Sequence, residues 1–589
     1  MPRDSSRPRK RKFRGNQFSQ PKEKSPKSEL KEDDEQIDRT LSASSKKLRP
    51  KKPKAENKEA KSEVKNEKPD ISGYRLVDME VLASVFELIR CRDCGKLSII
   101  LSEVSFKRKG CSSCLRLFCT SCGWNHSFYT SKKVKKHFEV NRRLVYGMRS
   151  VGQGVSSAKR FCGVMNMPPP PKPNAYQGHN KALMKAAKTV AEETMNSAAS
   201  EIHNLSHEEN EITKCGVSCD GTWQRRGHSS MNGCVTVISM ETGKCLDVEV
   251  LSKVCQGCQR HETKEDSQEK RLWLADHQGK CKANYKGSAP AMEVEGVKRI
   301  FERSEEKHKL FYTEYFGDGD SKGFNKVENT YRDQGVTITK KECVGHVQKR
   351  VGTALRKLKK EKKGLGGKGK LTDAMIDRLQ NYYGIAIRSN VGDLAQMKKA
   401  IHASLFHCAS SEQRNLHLHC PEGPSSWCRF NKDRANQTNI YKPGPGLPLN
   451  VIAELKPVYK RLSEDGLLAR CLDGKTQNQN ESLNGMIWER VPKDVFIGSE
   501  TLKLGVYDAV AHFNIGSQAA VNILHQLGLE PSEFCLEEFK MADNLRIQKG
   551  NVKATEESKK RRKILRAQRK RKGDKAQENE GVTYAAGAF

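Results

Sequence analysis

Apolar positions change their period near the middle of the chain. Residues 182–211, ALMKAAKTVAEETMNSAASEIHNLSHEENE, carry apolar residues at helical spacing among good helix formers, which predicts one long helix. The runs KCGVSCD, CVTVISM and CLDVEVLSKV that follow are short and rich in β-branched residues, and ETGK between the last two contains the glycine of a tight hairpin turn. We therefore predict three antiparallel strands, a helix over about 291–305 and a strand over 309–317, in the order βββαβ.

Segments of different composition flank this pattern. Residues 1–72 contain Lys, Glu, Ser and Pro with almost no aromatic residues, so they cannot bury enough apolar surface to fold alone. The Pro-rich run MPPPPKPNAYQGHN, residues 167–180, marks an internal boundary. The predicted organisation is a disordered basic tail over 1–72, a zinc-ribbon-like module over 73–132, a helical segment with a Pro-rich linker over 133–180, one large α/β domain over 181–545 with Cys/His insertions at 255–281 and 405–428, and a disordered basic tail over 546–589.

The charge of the chain predicts a polyanionic partner. Its 589 residues carry a formal net charge of +36, which favours nucleic acid first and a membrane surface second. No run of about 18 apolar residues occurs, and the N-terminus lacks the apolar core of a signal peptide, so we expect a soluble intracellular protein with no membrane partner. The basic clusters at residues 7–14, RPRKRKFR, and 559–572, KKRRKILRAQRKRK, favour the nucleus.

The 20 cysteines include CxxC pairs, which in a reducing compartment bind zinc more often than they form disulfides. Two such knuckles with β-hairpins between them can complete a tetrahedral site of four thiolates, so the first group predicts a structural zinc ribbon. Cys122 is followed by glycine, as Cys94 is, which favours it over the alternative knuckle of Cys111 and Cys114. The preferred ligands are Cys91, Cys94, Cys119 and Cys122.

Two further Cys/His groups lie downstream. Residues 255–281 follow the pattern C-x2-C…H-x3-C, which falls within the range of zinc-finger spacings and begins where the third predicted strand ends. We predict a small metal-bound insertion at the edge of the sheet, with the ligands Cys255, Cys258, His277 and Cys281. The third group has irregular spacing, so zinc is no better an interpretation than a loop of incidental residues: His407, Cys408, His417, His419, Cys420 and Cys428.

Acidic residues at three places form the candidate active site. Glu481 lies among asparagines at the start of a predicted helix, Asp220 ends the first strand, and Asp318 and Asp320 follow the strand after the helix. Asp-Gly is also an ordinary turn sequence, but the first and fourth strands of a βββαβ sheet are neighbours, and a helix across them can bring the third acid. Clustered carboxylates repel one another unless divalent cations neutralise them, and Mg²⁺ accepts such oxygen ligands.

These stretches resemble the Mutator-like transposases of eukaryotic DNA transposons. The matching sequences include CDGTWQRRGHSSMNG, YFGDGDSKGF, KKECVGHVQKRVGTALRKL and TQNQNESLNGMIWERVPK, and the similarity runs from about residue 75 to 545. Kolobok-type transposases share a similar pattern. The resemblance implies an RNase H-like mixed α/β sheet with flanking helices over 181–545, DNA as partner at the transposon ends and the target, and a homo-oligomer.

The resemblance also implies roles for individual residues. Asp220, Asp318 (with Asp320 as its rival) and Glu481 would form a DDE triad that binds Mg²⁺ or Mn²⁺. Cys343 and His346 of the CVGH sequence would lie near that site, a buried structural histidine being the alternative. Water activated between two metal ions would attack a phosphodiester at the transposon end, and the freed 3′-hydroxyl would then attack target DNA.

Other features have two interpretations each. The basic run at residues 346–370 would hold DNA phosphates. Glu293 could be a fourth acid, although an exposed helix residue is the preferred interpretation. Residues 138–166 predict helix, Gly-containing turn, helix, either a DNA-binding helix-turn-helix or a hairpin packed on the catalytic domain. The alternatives to an active transposase are a catalytically inactive, transposase-derived nuclear DNA-binding zinc protein and a zinc-dependent protein that binds or cleaves RNA.

Overall fold

The computed structural model describes residues 42–48, 72–206, 212–225, 230–262, 267–317 and 322–555, with scattered positions between 557 and 568. Both candidate second acids, Asp318 and Asp320, lie outside these residues, as do the basic cluster 7–14 and much of the cluster 559–572. Ala43–Gly550 form one compact unit, which contains all three described sheets.

A three-stranded antiparallel sheet forms the N-terminal module. The first elements in chain order are α1 Ala43–Leu48, α2 Met79–Glu87, β1 Ile99–Glu103, β2 Cys114–Cys119 and β3 Asn125–Tyr129. In the sheet, Ile99 pairs with Cys119 and Cys114 pairs with Tyr129, so β2 is the central strand. Cys119, one of the predicted metal ligands, is the last residue of this central strand.

Two helices joined by a Gly-containing turn follow this sheet, as predicted for residues 138–166. The elements are β4 Lys133–Val134, β5 His137–Phe138, α3 Glu139–Ser150 and α4 Val155–Val164. Val145 and Tyr146 of α3 are buried in a core shared with the long helix that comes next. The pair therefore packs on the large domain as a helical hairpin.

The long helix, α5, runs over Pro173–Leu205 and begins earlier than predicted. Its first residue lies inside the segment predicted as a linker, because proline fits the first turn of a helix, where its missing N–H would have no partner. The helix crosses the boundary placed between residues 180 and 181 and ends before residue 211; residues 207–211 lie outside the described residues.

A five-stranded mixed sheet forms the centre of the large domain. The elements in chain order are β6 Thr213–Trp223, β7 Asn232–Ser239, β8 Cys245–Ser252, α6 Gln256–Glu262, α7 Gln268–Gln278, α8 Ala291–Glu302, α9 Ser304–His308, β9 Leu310–Gly317, α10 Lys322–Val327 and β10 Thr339–Glu342. The strand order is β10-β9-β6-β7-β8, with β6, β9 and β10 parallel and β7 antiparallel to both its neighbours. The predicted βββαβ order is present, and β6 continues beyond Asp220 to Trp223, so Asp220 lies within the strand.

Helices cover both faces of this sheet. On one face Val297 and Phe301 of α8 pack against Val217 and Cys219 of β6. On the other face the apolar residues of α5 share a core with Cys234, Ile238 and Val250 of the sheet and with the helices near the C-terminus. Because the sheet is covered on both faces, β7 and β8 are buried on both sides, and their sequences are therefore largely apolar without strict alternation.

A helical insertion with its own core separates β10 from the C-terminal helices. Its elements are α11 Val344–Glu361, α12 Asp373–Arg388, α13 Leu394–Ala409, α14 Arg429–Asn436, α15 Leu449–Leu462 and α16 Asp465–Ala469. Leu355, Ile376, Ile401 and Leu455 are among the fully buried residues of its core. The remaining helices are α17 Asn478–Arg490, α18 Ser499–Ile515, α19 Gln518–Gln526 and α20 Glu533–Ala554.

One helix lies in a segment predicted as a disordered tail, and another extends into the second such segment. α1 falls within residues 1–72, where Lys47 places its Nζ 3.3 Å from the centre of the Phe513 ring and donates a hydrogen bond to Gln479. α20 crosses the boundary between residues 545 and 546. Residues 43–48 and 546–554 of these segments are helical, and the contacts of Lys47 that hold α1 are tertiary ones, which composition does not show. Among the described residues, no helix is long and apolar enough to span a bilayer.

Candidate active site and metal centres

Helix α17 lies along strand β6 and contacts it at three successive levels. Four residues of helix advance by about 6 Å and two residues of strand by about 6.6 Å, so helix positions four apart can meet strand positions two apart. The contacts are Ser218 Oγ donating to Asn480 Oδ1 at 2.6 Å, Asn484 Nδ2 donating to Asp220 Oδ2 at 2.7 Å, and Trp488 Nε1 donating to Thr222 Oγ1 at 2.8 Å. We call this set the amide ladder, although its last member is an indole.

Buried amides fix the start of α17. The Asn480 side chain is completely buried and also donates to the carbonyl oxygen of Ser218 at 3.2 Å. Gln477 Nε2 donates to the carbonyl oxygens of Cys219, at 2.9 Å, and Phe316, at 3.4 Å. A buried amide that loses its partners is costly, so these contacts hold the helix in one register over the sheet.

Glu481 occupies the first turn of α17, directly after Asn480, and its side chain is exposed. It precedes Asn484, the hydrogen-bond partner of Asp220, by one turn, so both lie on neighbouring parts of one helix surface. The partial positive charge at a helix N-terminus favours a carboxylate there. Asn480 and Asn484, which flank Glu481, therefore attach its helix to the strand that carries Asp220.

The end of β9 lies beside the part of β6 that precedes Asp220. Phe316 pairs with Ser218 in the parallel register, and Gly317 is the last residue of the strand. Asp318 and Asp320 follow Gly317 but lie outside the described residues. The structure thus gives the position of the strand end, and Asp318 and Asp320 both stay candidates for the second acid.

Cys343 is buried at the junction of these elements. It precedes the first residue of α11, and its Sγ accepts a hydrogen bond from the backbone N–H of Gln477 at 3.5 Å. Gln477 also reaches the carbonyl group of Cys219, the residue before Asp220. His346 lies in the first turn of α11 and is half-buried. Gln477 therefore links Cys343 to the strand that carries Asp220, with a hydrogen bond to each.

Glu293 lies closer to this site than its sequence context indicated. It is half-buried in the first turn of α8, and a Cβ atom built on Gly221 would lie 2.9 Å from the Glu293 Cβ. Burial raises the pKa of Cys219 well above its ordinary value, and the charges of Glu293 and Asp220 raise it further. The preferred interpretation of Glu293 as an exposed helix residue is wrong. The signal for this was the glycine after Asp220, which leaves room for a side chain from the helix.

The predicted ribbon ligands come together. Cys91 Sγ lies 3.6 Å from Cys122 Sγ, and Cys94 Sγ lies 3.6 Å from Cys119 Sγ. All four sulfur atoms lie within 4.8 Å of one another, close to the spacing of about 3.8 Å in a tetrahedral zinc–thiolate site. These four cysteines could hold a structural zinc ion.

The alternative knuckle of Cys111 and Cys114 lies outside that group. Cys111 Sγ contacts the carbonyl oxygen of Pro168 at 3.5 Å. Burial, together with the neighbouring Cys162, raises the pKa of Cys111 to about 12, so this residue is a core thiol.

The second predicted set also converges, on the segment that leaves β8. Cys255 Sγ lies 3.2 Å from His277 Nε2, Cys258 Sγ lies 3.6 Å from Cys281 Sγ, and all four ligand atoms lie within 4.8 Å. The Trp273 ring stacks on His277 with its centre 4.3 Å away, which fixes the plane of the imidazole. This group could likewise hold zinc.

Four of the six residues in the third group form a compact cluster. His407, His417, Cys420 and Cys428 bring one ligand atom each to within 4.8 Å of one another, whereas Cys408 and His419 do not take part. The sequence spacing of this group did not decide between zinc and a loop of incidental residues. His407 lies near the end of α13 and Cys428 directly precedes α14, so the ligands belong to different elements.

The basic run 346–370 is partly neutralised within the protein. Its cations form five ion pairs with carboxylates: Arg350 with Glu342, Arg356 with Asp377, Lys357 with Glu361, Lys359 with Asp373, and Lys362 with Glu454. Fewer charges are thus available for phosphates than the sequence alone indicates.

A family model for Mutator-like transposases matches residues 73–428, more than half of the chain. The chain belongs to the Mutator-like transposase family. Comparisons with curated proteins and with solved structures found no match. Family membership implies that this Mutator-like transposase binds DNA.

The matched span contains only part of the candidate active site. It includes Asp220 and all three Cys/His clusters, and it ends at Cys428, the last residue of the third. Glu481 and the helix α17 lie beyond it, so the relation between Glu481 and Asp220 depends on the amide ladder of this Mutator-like transposase alone.

Proposed function

We propose that this Mutator-like transposase cleaves DNA phosphodiester bonds and transfers the resulting strand, with Asp220, Asp318 and Glu481 as its acidic triad and Asp320 as the alternative second acid. The observation that carries the proposal is the amide ladder, which holds the helix of Glu481 on the strand of Asp220. The strand order β10-β9-β6-β7-β8, with β6 parallel to β9, supports an RNase H-like fold.

The chemistry of the donor set fits Mg²⁺ or Mn²⁺. Carboxylate oxygens are the ligands that these hard cations prefer, and the neighbouring amides are neutral groups that add no competing positive charge. Bound there, two ions would activate a water molecule and stabilise the attacking and leaving oxygens. Asp220 is oriented by the hydrogen bond from Asn484, and Glu481 is held by the buried Asn480 beside it. These residues would position the scissile phosphate relative to the water.

The remaining features fit a protein that works on chromosomal DNA. We propose nuclear localisation from the basic clusters at residues 7–14 and 559–572, and assembly of more than one copy when two transposon ends are joined. The ribbon at residues 91–122 and the insertion at 255–281 would bind zinc as structural ions. An inactive DNA-binding descendant is the second candidate, supported by the three Cys/His clusters, whose ligand atoms converge independently of the acidic residues.

The experiment is cleavage of linear DNA that carries the element's terminal repeats, with Mg²⁺ or Mn²⁺ added. Asp220→Asn and Glu481→Gln should each abolish metal-dependent nicking, whereas Glu489→Gln, on an exposed position of the same helix, should leave it unchanged. DNA binding should persist in all four proteins and weaken with salt. Salt-sensitive binding with no cleavage by the wild type would reject the enzyme and favour the DNA-binding descendant.

A further inference from the structure

The third Cys/His cluster has the geometry of a metal site and not only its composition. His407 Nδ1 lies 3.1 Å from His417 Nδ1, and Cys420 Sγ lies 3.6 Å and 3.9 Å from these two nitrogens. Cys428 Sγ lies 3.4 Å from His417 Nδ1. A zinc ion with bond lengths of about 2.3 Å to sulfur and about 2.0 Å to nitrogen places tetrahedral ligands about 3.3–3.8 Å apart. The observed separations fall around that range.

Both histidines direct the same ring atom, Nδ1, to the centre of the cluster. Two facing ring nitrogens can share only one proton, and two thiols beside them are weak donors, so hydrogen bonds alone satisfy this buried group poorly. His417, Cys420 and Cys428 are all less than a tenth exposed. A cation at the centre would satisfy all four lone pairs at once.

The outer nitrogen of His417 has the partner expected of a metal ligand. Its Nε2 lies 3.3 Å from the Tyr441 hydroxyl oxygen. Tyr441 is itself held, because its backbone N–H donates to Asp433 Oδ2 at 2.9 Å. Such a contact fixes the tautomer and the ring plane of a histidine ligand.

Aromatic rings surround the cluster and limit access of water. Phe430 stacks on His417 with ring centres 4.6 Å apart, and Trp427 and Tyr382 lie 5.0 Å and 5.4 Å from His407. The chain between α13 and α14, residues 410–428, contains no regular element, and the stretch 437–448 after α14 contains none either. Long irregular segments in a compact domain need another source of order, which a bound ion supplies.

We propose that His407, His417, Cys420 and Cys428 bind one zinc ion, a third zinc site that fastens the end of α13 to the start of α14 within the helical insertion. Two thiolates and two imidazoles in a tetrahedron are characteristic of zinc. The ion would fix the exposed side chains of Arg429, Lys432 and Arg434 on α14 relative to the rest of the insertion.

The test is the metal content of the full-length protein, purified without added metal and measured by elemental mass spectrometry. The wild type should contain three zinc ions per chain, and Cys428→Ser and His417→Ala should each contain two. Cys408→Ser and His419→Ala are matched controls from the same segment, since neither residue joins the cluster, and both should keep three. Two zinc ions in the wild type, or three in both ligand variants, would overturn the proposal.

A second variant guards against a loss of metal through misfolding. His417→Cys supplies a thiolate in place of the imidazole, so it should retain the third ion. In the cobalt-substituted protein it should also absorb more strongly in the thiolate-to-cobalt charge-transfer band than the wild type. A His417→Cys protein that folds, as judged by circular dichroism, but holds two ions would reject His417 as a ligand. Because metal content does not depend on DNA cleavage, failure of the cleavage experiment leaves this test unaffected.

Discussion

The Cys/His clusters and the proposed acidic site of this protein are assembled in opposite ways. Each Cys/His cluster draws four ligand atoms to within 4.8 Å from a single stretch of chain. The proposed acidic site draws on a strand and a helix that are far apart in sequence, and Asn484 of the helix that carries Glu481 donates a hydrogen bond to Asp220 of the strand. The first arrangement could hold a zinc ion within one stretch of chain; the second leaves an exposed carboxylate on a helix that other residues hold in place.

This difference follows from the chemistry of the ligands. Thiolates and imidazoles bind zinc tightly enough to order the chain around it, so they can form a complete shell. Carboxylates that lie close together repel one another, so a site for Mg²⁺ must be supported by neutral hydrogen bonds and must leave positions for water and phosphate. In the proposed site, the amide ladder would supply that support.

The two kinds of site should differ most in their response to the removal of metal. Chelation of zinc should unfold the ribbon, because zinc binding to such sites contributes on the order of 10 kcal/mol. Removal of Mg²⁺ alone should leave the melting temperature unchanged and stop cleavage only. Circular dichroism and calorimetry with zinc-selective and magnesium-selective chelators would measure both. An equal response to the two chelators would contradict the distinction.

Asp508→Asn, at the far end of α17, should lower the free energy of unfolding by about 3–5 kcal/mol, because the change leaves a buried cation without its counter-charge. Asp508 accepts hydrogen bonds from Tyr146, at 2.8 Å, and from Arg490 of α17. Burial alone would raise the pKa of Asp508, but the charges of His512 and Arg490 and these hydrogen bonds bring it below its ordinary value.

The depressed pKa gives the sign of the pH effect. The carboxylate contributes stability above the unfolded pKa of 3.8, and the contribution is lost as pH falls through the lower folded value. Acid titration of the wild type should therefore release zinc, whose ligands must be deprotonated, before this contact fails. Denaturant unfolding at pH 7 and pH 4, with the zinc content measured at each pH, would check both statements. An Asp508→Asn variant as stable as the wild type at pH 7 would show that Asp508 does not stabilise the end of α17.

Asn480→Ala should destabilise the protein by about 1–3 kcal/mol, because it leaves the hydroxyl and carbonyl groups of Ser218 without their partner. Asn478→Ala is the matched control, since Asn478 is exposed on the same helix turn. Chemical denaturation of the two variants would give the difference. Equal stabilities would mean that the first rung of the amide ladder does not hold the helix.

Asn484→Ala should affect activity more than stability, because Asn484 orients a carboxylate and is only half-buried. Loss of an outer contact to a metal ligand commonly lowers metal affinity or activity by about 10–100-fold. The Mg²⁺ concentration for half-maximal cleavage should therefore rise, with DNA affinity unchanged. An unchanged Mg²⁺ requirement would remove Asn484 from the site.

The contrast between the sites also explains what the sequence could predict. The ligands at 91–122 and 255–281 were predictable because CxxC spacing brings two thiolates together within one turn. The strands β6, β7, β8 and β9 were predictable because β-branched runs and turn residues mark them locally. The third cluster was not predictable from spacing. Helix α13 sets the direction of His407, and the other three ligands reach it from an irregular loop that follows the helix.

The helical insertion and the position of Glu293 were missed for a similar reason. Nothing in the spacing of residues 344–471 indicates that their apolar positions form a separate core. Glu293 has an ordinary amphipathic context, and only the packing of α8 over Gly221 brings it to the strand. Pairwise packing across the sheet is a property of the tertiary structure, which local periodicity does not contain.

Gly221→Ala tests how closely α8 packs on strand β6. The added Cβ would lie 2.9 Å from the Cβ and Oε2 of Glu293, so the glutamate must move, at an expected loss of about 1–3 kcal/mol in stability. Glu293→Ala in the same protein should relieve that crowding, and the double variant should regain most of the stability. If Glu293 also supports the acidic site, Glu293→Gln, which keeps the volume and removes the charge, should raise the Mg²⁺ requirement for cleavage while stability stays near that of the wild type. A stable Glu293→Gln variant with an unchanged Mg²⁺ requirement would limit Glu293 to packing against β6, and the acidic site would then consist of the strand and helix that the amide ladder joins.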